Sequence, residues 1–300
     1  MLRSKTHWIE TEQYGLIGTP LWKSLSPAMH NANFAAIGMN AVYTPFEVEE
    51  DGMKKILPAL ESLRFKGLNV TMPLKQKIIP FLDELDEIGS LCGAINTLYW
   101  KKGRLCGTNT DGLGFVQGLK IQGQYDPAGK RCLVFGEGGA ARGISFALCM
   151  AGIGSITISG RACEADGVRK LASELNAYKS GICTVQSTDP SELPVLFKQN
   201  ELIVNATPVG MLPHVDETPF DTSLLDSASH LVCDAVYVPH DTKLLREAEA
   251  KGCRILYGYW MTIWQGAEAF RRWTHEREPA IAPNVEVMTK TMLDYLNERQ

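Results

Sequence analysis

The sequence lacks an excess of charge of either sign: 30 Lys and Arg stand against 34 Asp and Glu, a net charge of −4 at pH 7. Without a basic field nothing gathers a polyanion, which argues against nucleic acid or an anionic membrane as the main partner. Long apolar runs are missing too. The longest uncharged stretch, Gly143 to Gly160, reaches 18 residues but is cut by Gly152-Ile153-Gly154-Ser155. It falls short of the roughly 20 apolar residues that span a bilayer. The start, Met1-Leu2-Arg3-Ser4-Lys5-Thr6-His7, has no apolar stretch of the secretory kind, so a soluble, cytoplasmic protein is expected. The 8 cysteines never form a C-x-x-C pair, and the 6 histidines show neither H-E-x-x-H nor an i, i+4 pair. No zinc ligand set exists, and no metal is expected. Cysteines within Cys132-Leu133-Val134-Phe135 and Leu148-Cys149-Met150 read as small buried hydrophobes. Repeats and low-complexity linkers are absent as well.

What is present is ordinary globular composition, 45% hydrophobic and 21% charged over 300 residues, enough for two domains at roughly 150 residues each. Up to about residue 110, strand-like and helix-like runs alternate. They are Gly15–Gly18, a helix opening at Ser26-Pro27 with the Ser26 hydroxyl as its cap, Ala41–Tyr43, a helix from Asp51, Leu68–Val70, a helix near Leu74, and Ala94–Trp100. Such alternation predicts a mostly parallel sheet. A second series begins at Arg131 and runs through Cys132–Phe135, Ile156–Ile158, Leu202–Val204 and Leu231–Cys233. Helices are expected over Ala140–Ala151, Glu164–Leu175 and Thr242–Lys251, the last stopped by Gly252. Helical patterns over Met261–Trp273 and Asn284–Leu296 follow, expected to pack back on the first domain.

Phe135-Gly136-Glu137-Gly138-Gly139-Ala140-Ala141 places a G-x-G-x-x-A pattern directly after a strand and at the opening of a helix. Gly136 allows the tight turn, Gly138 lets backbone approach a pyrophosphate, and the helix N-terminus offers N–H groups to the anion. The missing Gly-Lys-Ser/Thr excludes a P-loop. An acid at the end of the next strand would signal NAD, yet that strand ends Ile158-Ser159-Gly160-Arg161, and Arg161 could pair with a 2′-phosphate. NADP is favoured over NAD, with Glu164 close by on the other side of the question. The turn alone also suits S-adenosylmethionine.

Three segments are too polar for simple packing: Ser24-Leu25-Ser26-Pro27, Asn69-Val70-Thr71-Met72-Pro73-Leu74-Lys75, and Thr108-Asn109-Thr110-Asp111-Gly112. A lysine in a first helical turn opposes the helix dipole, which points to a ligand for Lys75. With Gly93-Ala94-Ile95-Asn96-Thr97, the turn at Gly136, Asn205-Ala206-Thr207-Pro208-Val209-Gly210-Met211, and Gly258 through Gln265-Gly266-Ala267, these segments resemble the shikimate dehydrogenase family, its quinate/shikimate branch included. The resemblance runs over nearly the whole chain and removes the methyltransferase reading.

The resemblance implies an α/β fold of two domains: an N-terminal substrate domain (1–112, completed by 261–300) and a Rossmann-type NAD(P) domain (113–260). It implies reversible reduction of 3-dehydroshikimate to shikimate, with quinate as a further substrate. Lys75 and Asp111 would be the catalytic pair at the seam. Ser24 and Ser26 would hold the carboxylate, and Thr71, Asn96, Asp111, Gln265 and Tyr237 the ring hydroxyls. Gly136, Gly138, Gly139 and Ala140 would hold the pyrophosphate, Arg161 the 2′-phosphate, and Thr207, Ala235 and Gly258 would line the nicotinamide channel. Both monomers and homodimers occur in the family. Two departures stand out: Gly160-Arg161-Ala162 replaces the usual Asn-Arg-Thr, which suggests dual NADP/NAD use, and Glu137 replaces alanine in the turn. Asp234-Ala235-Val236-Tyr237-Val238-Pro239-His240 looks closer to the quinate/shikimate branch. A dehydrogenase of an aminated shikimate analogue and a non-catalytic NADP/metabolite sensor stay open as alternatives.

Overall fold

The computed structural model describes residues 10–160, 165–187, 191–277 and 279–298. The chain divides into two compact units, one running to Thr110 and resuming at Gly266, the other spanning Asp111–Gln265.

In the first unit the elements are β1 (Glu12–Gly18), α1 (Ser26–Ala36), β2 (Ala41–Glu47), α2 (Met53–Ser62), β3 (Phe65–Val70), β4 (Glu84–Leu85), α3 (Glu87–Cys92), β5 (Thr97–Lys101) and β6 (Arg104–Thr108). The strands form one sheet in the order β2-β1-β3-β5-β6-β4. Its β2-β1-β3 part is parallel, as the alternation predicts, but β5 runs antiparallel to both β3 and β6. The sheet is therefore mixed. The cause is a tight hairpin at Lys102-Gly103, where φ is +50° and +77°, the backbone of a type I′ turn. Lysine in place of the usual asparagine hides that turn from a sequence reading.

Two local expectations fail. No α-helix forms near Leu74: residues 72–78 make turns, with a short 3-10 segment at Ile79–Phe81. Leu74 and Ile78 do both bury, which mimics helical spacing, but Pro73 and Pro80 leave too short a window for a helix to propagate. The dipole argument for Lys75 lapses with that helix. Nor does the Ser26 hydroxyl cap α1. Ser26 lies inside the helix, no side chain caps it at Leu25, and the Ser24 hydroxyl accepts instead from the Ser26 N–H at 3.3 Å.

The second unit contains α4 (Asp111–Ile121), β7 (Arg131–Phe135), α5 (Gly139–Met150), β8 (Ser155–Gly160), α6 (Ala165–Tyr178), β9 (Cys183–Ser187), α7 (Leu193–Gln199), β10 (Leu202–Asn205), β11 (Leu231–Asp234), α8 (Lys243–Ala250) and β12 (Arg254–Leu256). Its sheet is parallel throughout, in the order β12-β11-β10-β7-β8-β9. Read from β7 this is the 3-2-1-4-5-6 order of dinucleotide-binding folds, which leaves a crevice where β7 and β10 part. Thr242 caps α8 by accepting from Leu245 N–H, and Gly252 follows its end at φ +80°, both as the sequence suggests.

α9 (Gly258–Trp273) starts in the second unit and ends in the first, and α10 (Val285–Glu298) lies on α1. Trp273 Nε1 donates to Leu98 O at 3.0 Å, and Asn284 N–H donates to Asn33 Oδ1 at 2.7 Å. A methyl on Gly67 would strike the Trp273 ring at 2.0 Å, so only glycine admits this helix end over β3. His30 is fully buried and stacked on Tyr43 at 4.5 Å. Burial pushes its pKa down to about 3, so it is a neutral core residue. The seven described cysteines are free and buried. Among the described residues no helix is long and apolar enough to cross a membrane, and no group of three or more His, Cys, Asp or Glu could hold a metal ion.

Candidate active site

In the first unit the predicted residues gather at one end of the sheet. The loops leaving β1 and β3 are zipped together there, Thr71 N–H donating to Ile17 O at 2.9 Å and Thr19 N–H to Met72 O at 3.1 Å. Lys75 rises half-buried from the turn after β3, held on one side by fully buried Leu74 and on the other by its own carbonyl, which accepts from Ile95 N–H at 2.7 Å. Asn96, just before β5, meets the end of β3 through Val70 N–H donating to Asn96 O at 2.8 Å. Ser24 is half-buried and Ser26 buried at the start of α1. The sequence reading missed what supports them. Tyr43 OH donates to Asn69 Oδ1 at 2.8 Å, and Asn69 Nδ2 donates to Asn96 O and Thr97 Oγ1, both at 3.1 Å. Asn96 Oδ1 accepts from Thr110 N–H at 2.7 Å. This buried amide network fixes Thr110, the residue before Asp111. Its only trace in the sequence is a lone Asn between Leu68 and Val70, a polar group that burial obliges to find partners.

In the second unit Asp111 opens α4 and is 6% exposed. Two glycines of α4 set its surroundings. A methyl on Gly112 would lie 1.9 Å from Gly143 O of α5, and one on Gly114 would lie 2.4 Å from Gln265 N of α9. Backbone thus touches backbone on both sides, and α4 is locked between the helix of the glycine turn and the helix that carries Gln265. Gln265 is buried, its Nε2 donating to Thr262 O at 2.9 Å.

The glycine turn is built as the sequence suggests. Gly136 has φ +115°, and a methyl there would meet Ala206 O at 2.9 Å and Thr207 Cγ2 at 3.2 Å. Gly136 and Thr207 are thereby side by side at the crevice. Gly138 is the N-cap of the 12-residue α5 and has open space around it; Gly139 and Ala140 form the first turn. These are the features a pyrophosphate needs: N–H groups at a helix N-terminus and no side chain in the way. Gly258 lies so close to the loop after β11 that a methyl would be 2.4 Å from Val236 O and 2.9 Å from Ala235 C, which puts Ala235 and Gly258 together. Tyr237 is half-buried two residues further on. Arg161 and Glu164 lie outside the described residues.

Comparison with known proteins completes the picture. Residues 16–98 match the family model described as the shikimate dehydrogenase substrate binding domain. The shikimate dehydrogenase (NADP(+)) of Methanopyrus kandleri is 40% identical over 287 residues, covering 96% of this chain and 97% of that protein. The chain belongs to the shikimate dehydrogenase family. Among solved structures, the family's Listeria monocytogenes shikimate 5-dehydrogenase in complex with shikimate and NAD superposes with a TM-score of 0.87 at 35% identity, covering 93% of this chain and 96% of that one. The quinate dehydrogenase from Corynebacterium glutamicum in complex with NAD gives 0.85 at 33% identity, covering 95% and 99%.

In this shikimate dehydrogenase family member a second buried network holds the loops after β10 and β11. Asn205 Oδ1 accepts from Thr207 N–H at 3.0 Å and Thr207 Oγ1 at 2.6 Å, while its Nδ2 donates to Asp234 Oδ1 at 2.9 Å. Asp234 also accepts from Val236 N–H at 2.9 Å and Thr242 Oγ1 at 2.8 Å. Burial pushes the Asp234 carboxyl up to about 7, against the opposing pull of the bonds from Val236, Thr242 and Asn205. The folded protein therefore holds a proton that the unfolded chain releases near pH 4. The stability this contributes is complete below that value and is lost as pH rises through about 7, on the order of 4 kcal/mol in all. Asp234→Asn keeps the shape and removes the titration. Melting temperatures from pH 4 to pH 8 should show the wild type losing ground steadily to the variant; parallel curves would refute the assignment.

Proposed function

We propose that this chain is a shikimate dehydrogenase. It reversibly reduces 3-dehydroshikimate to shikimate with NADP, accepts NAD, and also acts on the quinate/3-dehydroquinate pair. The observation that carries this reading is the end-to-end likeness to shikimate dehydrogenases, with Lys75 and Asp111 both present in their motifs. The substrate domain is read as 1–112 with 261–300, which contains the first unit, and the dinucleotide domain as 113–260, the body of the second unit.

When bound, the nicotinamide supplies or takes up a hydride. A ketone that receives a hydride becomes an alkoxide and needs a proton. In this reading the Lys75 ammonium polarises the carbonyl oxygen and gives it that proton, and Asp111 orients Lys75. In the oxidising direction Lys75 accepts the proton back. Ser24 and Ser26 hold the ring carboxylate, and Thr71, Asn96, Asp111, Gln265 and Tyr237 hold the hydroxyls. Gly136, Gly138, Gly139 and Ala140 cradle the pyrophosphate, Arg161 pairs with the 2′-phosphate, and Thr207, Ala235 and Gly258 line the nicotinamide side. Short polar side chains at these positions suit a small, many-hydroxylated acid, which needs no large apolar cavity. We place the protein in the cytoplasm with small molecules as its partners; light scattering decides between a monomer and a homodimer, both of which the family resemblance allows.

The decisive measurement follows reduced-nicotinamide absorbance with shikimate and quinate, each with NADP+ and with NAD+. Turnover of shikimate with NADP+ is expected, with slower turnover in the other three combinations. No turnover in any of the four overturns the reading in favour of an aminated substrate or a sensor.

A further inference from the structure

β10 and β11 are apolar strands, Leu202-Ile203-Val204 and Leu231-Val232-Cys233, and each ends on one polar residue, Asn205 or Asp234. The two are register partners, 0% and 2% exposed, at the carboxyl ends where a sheet of this order takes its ligand. Buried polar groups must find partners, and these two bond only to each other and to the loops that follow them. Backbone N–H groups can only donate. The bonds from Thr207 and Val236 therefore make Asn205 Oδ1 and Asp234 Oδ1 acceptors and turn Asn205 Nδ2 toward Asp234. That nitrogen also donates to Val209 O at 3.1 Å, so both hydrogens and both acceptor sites of the Asn205 amide are spent. The Thr207 hydroxyl is spent as well, donating to Asn205 and accepting from Val209 N–H at 3.2 Å. Thr207 thus meets the glycine turn with its methyl, the carbon 3.2 Å from a methyl built on Gly136.

We propose that Asn205 and Asp234 are positioning residues for the hydride transfer: they hold Thr207 and the Ala235-Val236 backbone, the nicotinamide side of the crevice, while their own polar atoms stay bonded inside the protein. The inference rests on the reading of Thr207 and Ala235 as nicotinamide neighbours. A reacting ring must be held within about 0.5 Å of its productive place, and loops fixed by a saturated buried network are already ordered when the dinucleotide arrives. The residue types matter as much as the sites. A carboxylate at 205 would offer no donor and would set a second charge against Asp234, and an apolar side chain at 234 would leave Asn205 Nδ2 and Val236 N–H without an acceptor.

The test compares the full-length wild type with Asn205→Ala, Asp234→Ala and Asp234→Asn in two measurements. One is kcat for shikimate oxidation at saturating NADP+; the other is the Kd of 2′,5′-ADP, which has the phosphates and adenosine of the cofactor but no nicotinamide. Both alanine variants should lose kcat by roughly 10²-fold, the cost of a misplacement on the order of 1 Å, and keep the wild-type Kd for 2′,5′-ADP. Asp234→Asn still accepts from Asn205 and Val236 and should recover most of the rate. Asn205→Ser, a smaller cut in the same network, carries the same expectation and replaces any alanine variant that does not fold. Unchanged kcat in the variants overturns the proposal, since a merely structural role lowers Tm and spares the folded enzyme. So does a matching loss of 2′,5′-ADP affinity, which would spread the effect over the whole unit, or an Asp234→Asn enzyme as slow as Asp234→Ala. A wild type that oxidises no shikimate overturns the underlying reading along with it, whereas an active wild type with unaffected variants sinks the positioning role alone.

Discussion

Lys75→Ala should lower kcat for shikimate oxidation by roughly 10²–10⁴-fold, the usual contribution of a positioned acid or base, while the Kd for NADP+ stays at the wild-type value. The two readouts separate because Lys75 belongs to the first unit and the glycine turn to the second. The fold should tolerate the change. The backbone of Lys75 is held by its carbonyl bond to Ile95 N–H and by the neighbouring Leu74 in the core, and neither depends on the ammonium. Lys75→Arg sharpens the test: guanidinium keeps the charge but does not give up its proton in this pH range. If Lys75 acts only as a charge that polarises the carbonyl, arginine rescues much of the rate. If it transfers the proton, arginine is nearly as slow as alanine. Turnover unchanged in Lys75→Ala, measured under saturating shikimate and NADP+, would remove Lys75 from the mechanism.

Gly112→Ala should have the largest effect on stability of any single methyl added to the second unit. The new carbon would lie 1.9 Å from Gly143 O, 2.5 Å from Gly143 C and 2.8 Å from Ala147 Cβ. Two of these are backbone atoms of α5, so the strain cannot be relieved by turning a side chain, and α4 must move away from α5. Overpacking of this kind costs about 3 kcal/mol or more, and for a unit of this size that is a Tm loss of roughly 6–12 °C. Activity should fall beyond the loss of folded protein, because Asp111 is the adjacent residue and moves with the helix. Gly138→Ala is the control: nothing lies within 4 Å of its added methyl and φ is −71°, so its Tm should match the wild type. A Gly112→Ala protein that melts with the wild type would show that α4 and α5 are not locked as described.

Much of this was legible in the residues themselves. The parallel strands of the second unit are continuous apolar runs such as Cys132–Phe135 and Leu202–Val204, and buried parallel strands look like that. The turn at Gly136 is specified by glycines whose conformation and close approaches no other residue would meet. The caps of α8 are local chemistry at fixed offsets. Where local signals misled, a competing local rule was responsible. Pro73 and Pro80 broke a helix that Leu74 and Ile78 seemed to space, and Lys102 took a positive φ that asparagine would have announced.

The sequence by itself determined the two α/β units in order, the dinucleotide turn, and the set of short polar segments that mark the family, because each is a local pattern of side-chain type and spacing. Only the tertiary structure decided what those segments do to one another. It set one strand of the first sheet, β5, antiparallel to both neighbours, took Lys75 out of a helix, and gave the capping bond of Ser26 to Ser24. It also showed that Asn96 and Asn205 spend their amides on holding neighbouring loops, and that Gly112 and Gly114 exist for backbone contact with helices far along the chain. These are contacts between residues distant in sequence, set by how elements pack and by the need of buried polar groups for partners, and periodicity along a chain carries no record of them.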